Sequence, residues 1–66
     1  MQIFLNGESR EIQQDCTVSS LLTELALTNK RLAVEVNLDI VPRSQFDTHT
    51  LIEGDKIEIV QAIGGG

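Results

Sequence analysis

Hydrophobic and polar positions alternate at the start of this chain, with Met1, Ile3 and Leu5 on one face and Gln2 and Phe4 on the other, which predicts a short strand. Asn6-Gly7 follows, a pair suited to a two-residue type I′ hairpin because both central residues need φ > 0. That turn sets Leu5 opposite Glu8, Ile3 opposite Arg10 and Met1 opposite Ile12. The return strand, Glu8 to about Gln14, is largely polar, with Ile12 as its inward anchor, so it belongs toward a sheet edge. The period then changes. Val18, Leu21, Leu22 and Leu25 fall at i, i+3, i+4 and i+7, a helical stripe predicted to run from Val18 to about Leu27, with Thr17 as N-cap. A helix of that length needs packing on a sheet to persist.

Alternation returns at Leu32 to Asn37, with Leu32, Val34 and Val36 inward. A turn is predicted at Leu38-Asp39, and Ile40-Val41 reads as a short strand stopped by Pro42. One helical turn near Arg43–Asp47 places Phe46 under a loop. Gly54 supplies a φ > 0 position in the Glu53-Gly54-Asp55 turn. The last strand, Lys56 to about Gln61, turns Ile57 and Ile59 inward and Glu58 and Val60 outward. Two strands, a helix and further strands, with no repeat or linker, predict an α+β domain with a helix on one face of a sheet.

The last strand runs into Ala62-Ile63-Gly64-Gly65-Gly66. A triple glycine contributes no packing and costs the most backbone freedom to order, which marks residues 1–63 as the folded body and 64–66 as a flexible tail. Two readings are open: a frayed end, or a substrate tail whose Gly66 α-carboxylate enters another enzyme's active site. Lacking Cβ atoms, the glycines could thread a narrow channel. Fully extended, Ala62 to Gly66 reaches at most ~17 Å.

Composition narrows the function classes. Sixty-six residues, 41% hydrophobic, are enough for one small core but not for a deep catalytic pocket beside it. Ten acidic against five basic residues give a net charge of −5, which with two Phe and no Trp or Tyr argues against nucleic acid; the charge suits either a partner with basic surface or solubility alone. No apolar run is long enough for a membrane span and no signal peptide precedes Met1, so a cytoplasmic setting is expected. The single cysteine and single histidine offer no metal-ligand set. Cys16 reads as a small buried residue where the helix begins rather than as a nucleophile served by His49, which reads as a solvated loop residue. Glu8, Glu11, Glu53, Asp55 and Glu58 read as solvated strand faces and turns. An enzyme is not expected.

Met-Gln-Ile-Phe, the Asn6 turn, Thr17-Val18 with Leu21-Leu22, Val36-Asn37, Ile40-Val41-Pro42-Arg43, Phe46, Gly54-Asp55 and the terminal Gly65-Gly66 resemble the β-grasp, ubiquitin-like proteins. Within them the likeness is to the ThiS family, the sulfur-carrier proteins of thiamine biosynthesis, and it covers the whole chain. The family's minimum is a glycine pair, which Gly64 extends to a triple. The small subunit of molybdopterin synthase shares fold and tail but is usually longer and lacks the Val41-Pro42-Arg43 block. The resemblance implies a final strand lying centrally and parallel to the first. It also implies chemistry performed on Gly66. A ThiF-like adenylyltransferase using ATP and magnesium would form an acyl-adenylate, and a sulfur donor such as a cysteine desulfurase would leave a thiocarboxylate. A ThiG-like thiazole synthase would then take the sulfur. No cofactor bound to the carrier is implied. With the final strand so placed, Phe4 and Val60 would lie near each other on the face away from the helix and, with Ala62, form an apolar docking patch beside the tail. Tail and fold suit other uses as well: a modifier joined to target lysines through Gly66, a sulfur carrier for molybdopterin synthesis, or, with an inert tail, a passive interaction domain.

Overall fold

The computed structural model describes residues 1–28 and 30–61. Among them are five strands, β1 (Gln2–Leu5), β2 (Glu8–Glu11), β3 (Leu32–Val36), β4 (Asp39–Val41) and β5 (Lys56–Gln61). One α-helix, α1 (Val18–Glu24), and a 3₁₀ turn at Arg43–Gln45 complete the described elements. The strands form one mixed sheet in the order β2-β1-β5-β3-β4. β5 lies centrally, parallel to β1 and antiparallel to β3, and β2 is an edge strand. This is the arrangement expected of a β-grasp domain.

The first hairpin follows its turn chemistry. Asn6 and Gly7 have φ of 49° and 86°, and the pairing sets Leu5 against Glu8 and Ile3 against Arg10. The Ile12 N–H donates to Met1 O at 2.8 Å just beyond the ladder, and Ile12 is buried. The second hairpin turns one residue earlier than expected. Asn37 and Leu38, at φ 53° and 73°, form the turn, and Asp39 already pairs with Val36 as the first residue of β4. The physical reason is the side chain of Asn37, which tolerates the left-handed region and is fastened there by hydrogen bonds described below.

α1 is seven residues long and stops short of the expected Leu27. Ala26 adopts φ 60° and donates to Thr23 O at 3.0 Å, while the Leu27 N–H reaches back to Leu22 O at 2.8 Å. That pair of bonds is a Schellman cap, which ends a helix by turning one residue left-handed. Leu25 and Leu27 are consequently only half-buried against the core rather than part of its centre. The opposite end is better held. Thr17 Oγ1 accepts from the Ser20 N–H at 3.1 Å and Thr17 O from the Leu21 N–H at 3.0 Å. The two remaining first-turn donors go to the loop beyond the 3₁₀ turn, Val18 N–H to His49 O and Ser19 N–H to Phe46 O. The N–H groups of the first three helical residues, which a helix start leaves open, are thus all used, and the loop is tied to the helix.

Ile3, Val18, Leu21, Val34, Leu51 and Ile57 are the most deeply buried core side chains, so the core lies between α1 and the inner face of β1, β3 and β5. Among the described residues, no helix is long and apolar enough to cross a membrane.

One acidic residue departs from the solvated reading. Asp55 is 5% exposed. Its Oδ1 accepts from Asn37 Nδ2 at 2.9 Å and its Oδ2 from the Ile52 N–H at 2.9 Å. Asn37 in turn accepts the Lys56 N–H at 3.0 Å and donates its own N–H to Lys56 O at 2.7 Å. A carboxylate with donors on both oxygens can be buried without a cationic partner, which is why Asp55 stands inside while Glu8, Glu11, Glu53 and Glu58 remain exposed.

Candidate functional site

β5 carries the chain toward the predicted tail, so the site is built from what holds β5 and what lies on its two faces. Phe4 is in register with Lys56 and Leu5 with Ile57, where β1 ends. Beyond that point the first hairpin turn continues the support. The Asn6 N–H donates to Ile57 O at 2.9 Å. Asn6 Oδ1 accepts the Ile59 N–H at 2.9 Å, and Nδ2 reaches Ile59 O at 3.5 Å. On the other side β3 pairs along the whole strand, from Val36 opposite Ile57 to Leu32 opposite Gln61. β5 is therefore flanked on both sides as far as Ile59.

Phe4, Lys56, Glu58 and Val60 share the sheet face away from the helix, as alternation and register require. Phe4 is 38% exposed and Val60 63%. The two are not side by side. The parallel register places Phe4 beside the first residue of β5, so Val60 lies four residues farther on, about 13 Å at the usual strand rise. Glu58 stands between them, and the cross-strand neighbour of Val60 is Ala33. The outer face thus presents two apolar points separated by charge rather than one patch. Ala62, Gly64, Gly65 and Gly66, and the boundary after residue 63, lie outside the described residues.

The remaining sequence candidates occupy structural positions. Cys16 is buried, and its Sγ–H is directed to Thr17 O at 3.4 Å rather than to His49. Burial pushes the thiol up from its ordinary range, and the Glu24 carboxylate adds to the effect. A thiol held in its neutral form is a poor nucleophile. Glu53, on the surface, accepts the Gln2 N–H on both carboxylate oxygens at 3.2 Å. Sequence reasoning missed a second apolar region. Leu38, Ile40 and Ile52 are among the most exposed large hydrophobic residues described, and Ile40 and Ile52 line one shallow depression with Asn37 and Asp55. The pairing of Ile40 with Glu35, an outward position between Val34 and Val36, was the signal that could have placed Ile40 outside.

Comparison with known proteins decides the family. The ThiS family model matches residues 3–66. This chain belongs to the ThiS family. The sulfur carrier protein ThiS of Escherichia coli is 36% identical over 66 residues, all of both chains. A thiazole synthase of Paramagnetospirillum magneticum is 46% identical over all 66 residues, but the chain spans only 20% of that protein's length. The crystal structure of a thiamine biosynthesis protein (ThiS) from Geobacter metallireducens superposes with a TM-score of 0.86 at 29% identity, covering 100% of each chain. The β-grasp fold of the ThiS family thus accounts for every described element from β1 to β5.

Proposed function

We propose that this protein is a sulfur carrier of thiamine biosynthesis that works through the carboxylate of Gly66 and is not itself an enzyme. The observation that carries this reading is the match to the Escherichia coli sulfur carrier over the whole of both chains. The geometry supports it: β5 is gripped on both sides as it heads toward the tail, so a docked body would deliver the tail from a fixed origin. A free carboxylate is a poor electrophile. A ThiF-like adenylyltransferase, using ATP and magnesium, joins a Gly66 carboxylate oxygen to the α-phosphorus of ATP and releases pyrophosphate. Sulfur from a donor such as a cysteine desulfurase then adds to the acyl carbon. AMP leaves with one of the former carboxylate oxygens and the donor's persulfide takes its place as an acyl disulfide, whose S–S bond a thiol then cleaves, forming a disulfide with the donor's sulfur and leaving the thiocarboxylate. Splitting one hard substitution into two easier ones is the purpose of the adenylate. Thiazole synthase is the acceptor, a pairing favoured by the resemblance of this chain to one fifth of a protein of that name. The reactions belong in the cytoplasm, where these soluble partners would act.

The test is ATP–pyrophosphate exchange with the cognate activating enzyme, with circular dichroism as the control for folding. Appending one alanine after Gly66, or deleting Gly65 and Gly66, should abolish exchange and leave the fold intact. The added residue displaces the carboxylate by about 3.5 Å, whereas reactive geometry tolerates about 1 Å. In the same assay Phe4→Glu should raise KM without lowering Tm, because it places an unpaired charge in the docking face but not in the core. Exchange at the wild-type rate by the extended chain would exclude Gly66 as the reacting group. Protein isolated from its native cell should show the mass change of one oxygen replaced by sulfur. Higher-mass conjugates on a blot would favour the modifier instead.

A further inference from the structure

We propose that Asn6 is a positioning residue for the chemistry at Gly66, because its side-chain amide fixes the heading on which β5 leaves the sheet. The inference rests on the carrier reading. β1 ends at Leu5, so Glu58 to Gln61 have no strand beside them on that side. The Asn6 amide fills part of the gap, accepting the Ile59 N–H at 2.9 Å and reaching Ile59 O at 3.5 Å, as one more strand residue would. Few residues can do this. The backbone of Asn6 sits at φ 49°, which asparagine, aspartate and glycine tolerate best. Glycine has no amide to offer, and aspartate can accept from the N–H but cannot donate to the carbonyl.

Asn6 is exposed to solvent, so water competes for these bonds and their contribution to stability is small. Their consequence for position is larger. Seven residue steps lead from Ile59 to Gly66, at most about 24 Å of chain, so with the tail drawn out in a partner's channel a swing of about 5° at Ile59 would move the carboxylate by about 2 Å. That exceeds the misplacement reactive geometry tolerates. The glycines let the tail fit its channel, while Asn6 sets the place from which it enters.

The experiment compares Asn6→Gly, Asn6→Asp and Asn37→Gly with the wild type in ATP–pyrophosphate exchange, alongside Tm and amide hydrogen exchange at Ile59. Asn6→Gly preserves the turn and removes the clamp. Its kcat should fall roughly tenfold with KM for the carrier within about twofold, and exchange at the Ile59 amide should accelerate. Asn6→Asp, which can still accept the Ile59 N–H, should recover most of kcat. Asn37→Gly makes the same change at the corresponding position of the other hairpin and should lower Tm while leaving kcat intact. Wild-type kcat in Asn6→Gly, a loss confined to KM, or an equal kcat loss in Asn37→Gly would each overturn the positioning role. Absence of exchange with the wild type would instead overturn the carrier reading, and the positioning role with it.

Discussion

The two hairpin turns of this domain begin with the same residue in the same conformation and have different consequences. Asn6 and Asn37 each occupy the first position of a two-residue turn, at φ 49° and 53°, and each uses its side chain to hold the backbone of β5. Asn37 grips the first residue of that strand, and Asn6 its fourth. The difference lies in what stands behind them. Asn37 is exposed as well, but it is backed by Asp55, a buried carboxylate that also takes the Ile52 N–H, so its loss would leave a buried oxygen short of a donor. Asn6 is exposed, and water can replace it. The start of β5 is thus built for stability and its later half for direction.

The largest expected effect follows from the buried partner. Asp55→Ala takes the acceptor from the Asn37 Nδ2 and the Ile52 N–H, two partly buried bonds whose loss costs about 1–2 kcal/mol each. A loss of about 2–4 kcal/mol is expected, against a total of about 3–10 kcal/mol for a domain this size. At about 4–8 °C per kcal/mol, Tm should fall by more than about 8 °C in thermal unfolding followed by circular dichroism. A change under about 1 kcal/mol would show that the network is solvated and that the two turns do not differ as described.

The next effect compares the turns directly. Asn37→Gly keeps the left-handed turn but removes one donor from Asp55 and the acceptor of the Lys56 N–H, and should cost about 1–2 kcal/mol. Asn6→Gly should cost about 0.5 kcal/mol or less, because both of its side-chain bonds are exposed. Urea unfolding of the pair, with m unchanged, measures the gap. Equal losses would remove the distinction between a stabilising clamp and a directing one.

The sequence made one of these turns legible and hid the other. Asn6-Gly7 spells its conformation, and with it the register of β1 and β2. Asn37-Leu38 does not, because leucine is a poor left-handed residue, so the sequence points to Leu38-Asp39, one position late. The end of α1 was hidden in the same way, by Ala26 in a conformation that usually announces itself with glycine. Alternation correctly assigned Ile57 to the core and Val60 to the outer face, but it carries no information about parallel register. The spacing of Phe4 from Val60 therefore needed the structure. Asp55 beside Gly54 looked like an ordinary turn residue because its partner Asn37 is eighteen positions away. Leu51, with no periodic neighbours, gave no sign of its burial. Of the candidate site, the tail was visible as composition alone, and the Asn6 clamp on Ile59 depends on a contact across fifty-three positions.

The smallest effect concerns the second residue of each turn and should differ in sign. Gly7, at φ 86°, has nothing within 4 Å of where a Cβ would stand, so Gly7→Ala meets only the left-handed backbone penalty of about 1–2 kcal/mol, less about 0.5–1 kcal/mol saved in the unfolded chain, a net loss of about 0.5 kcal/mol. Leu38 already bears such a penalty at φ 73°. Its side chain is 85% exposed and recovers little through packing. Leu38→Gly should therefore relieve about 1–2 kcal/mol of left-handed strain, while glycine gives back about 0.5–1 kcal/mol through the greater freedom of the unfolded chain. The net gain is about 0.5 kcal/mol, a rise in Tm of about 2–4 °C. Thermal unfolding of the two variants beside the wild type, under identical buffer, resolves the opposite signs. A lower Tm for Leu38→Gly would mean that the exposed leucine is packed in solution, and the strain at this turn would then be offset by a contact rather than carried for nothing within the fold.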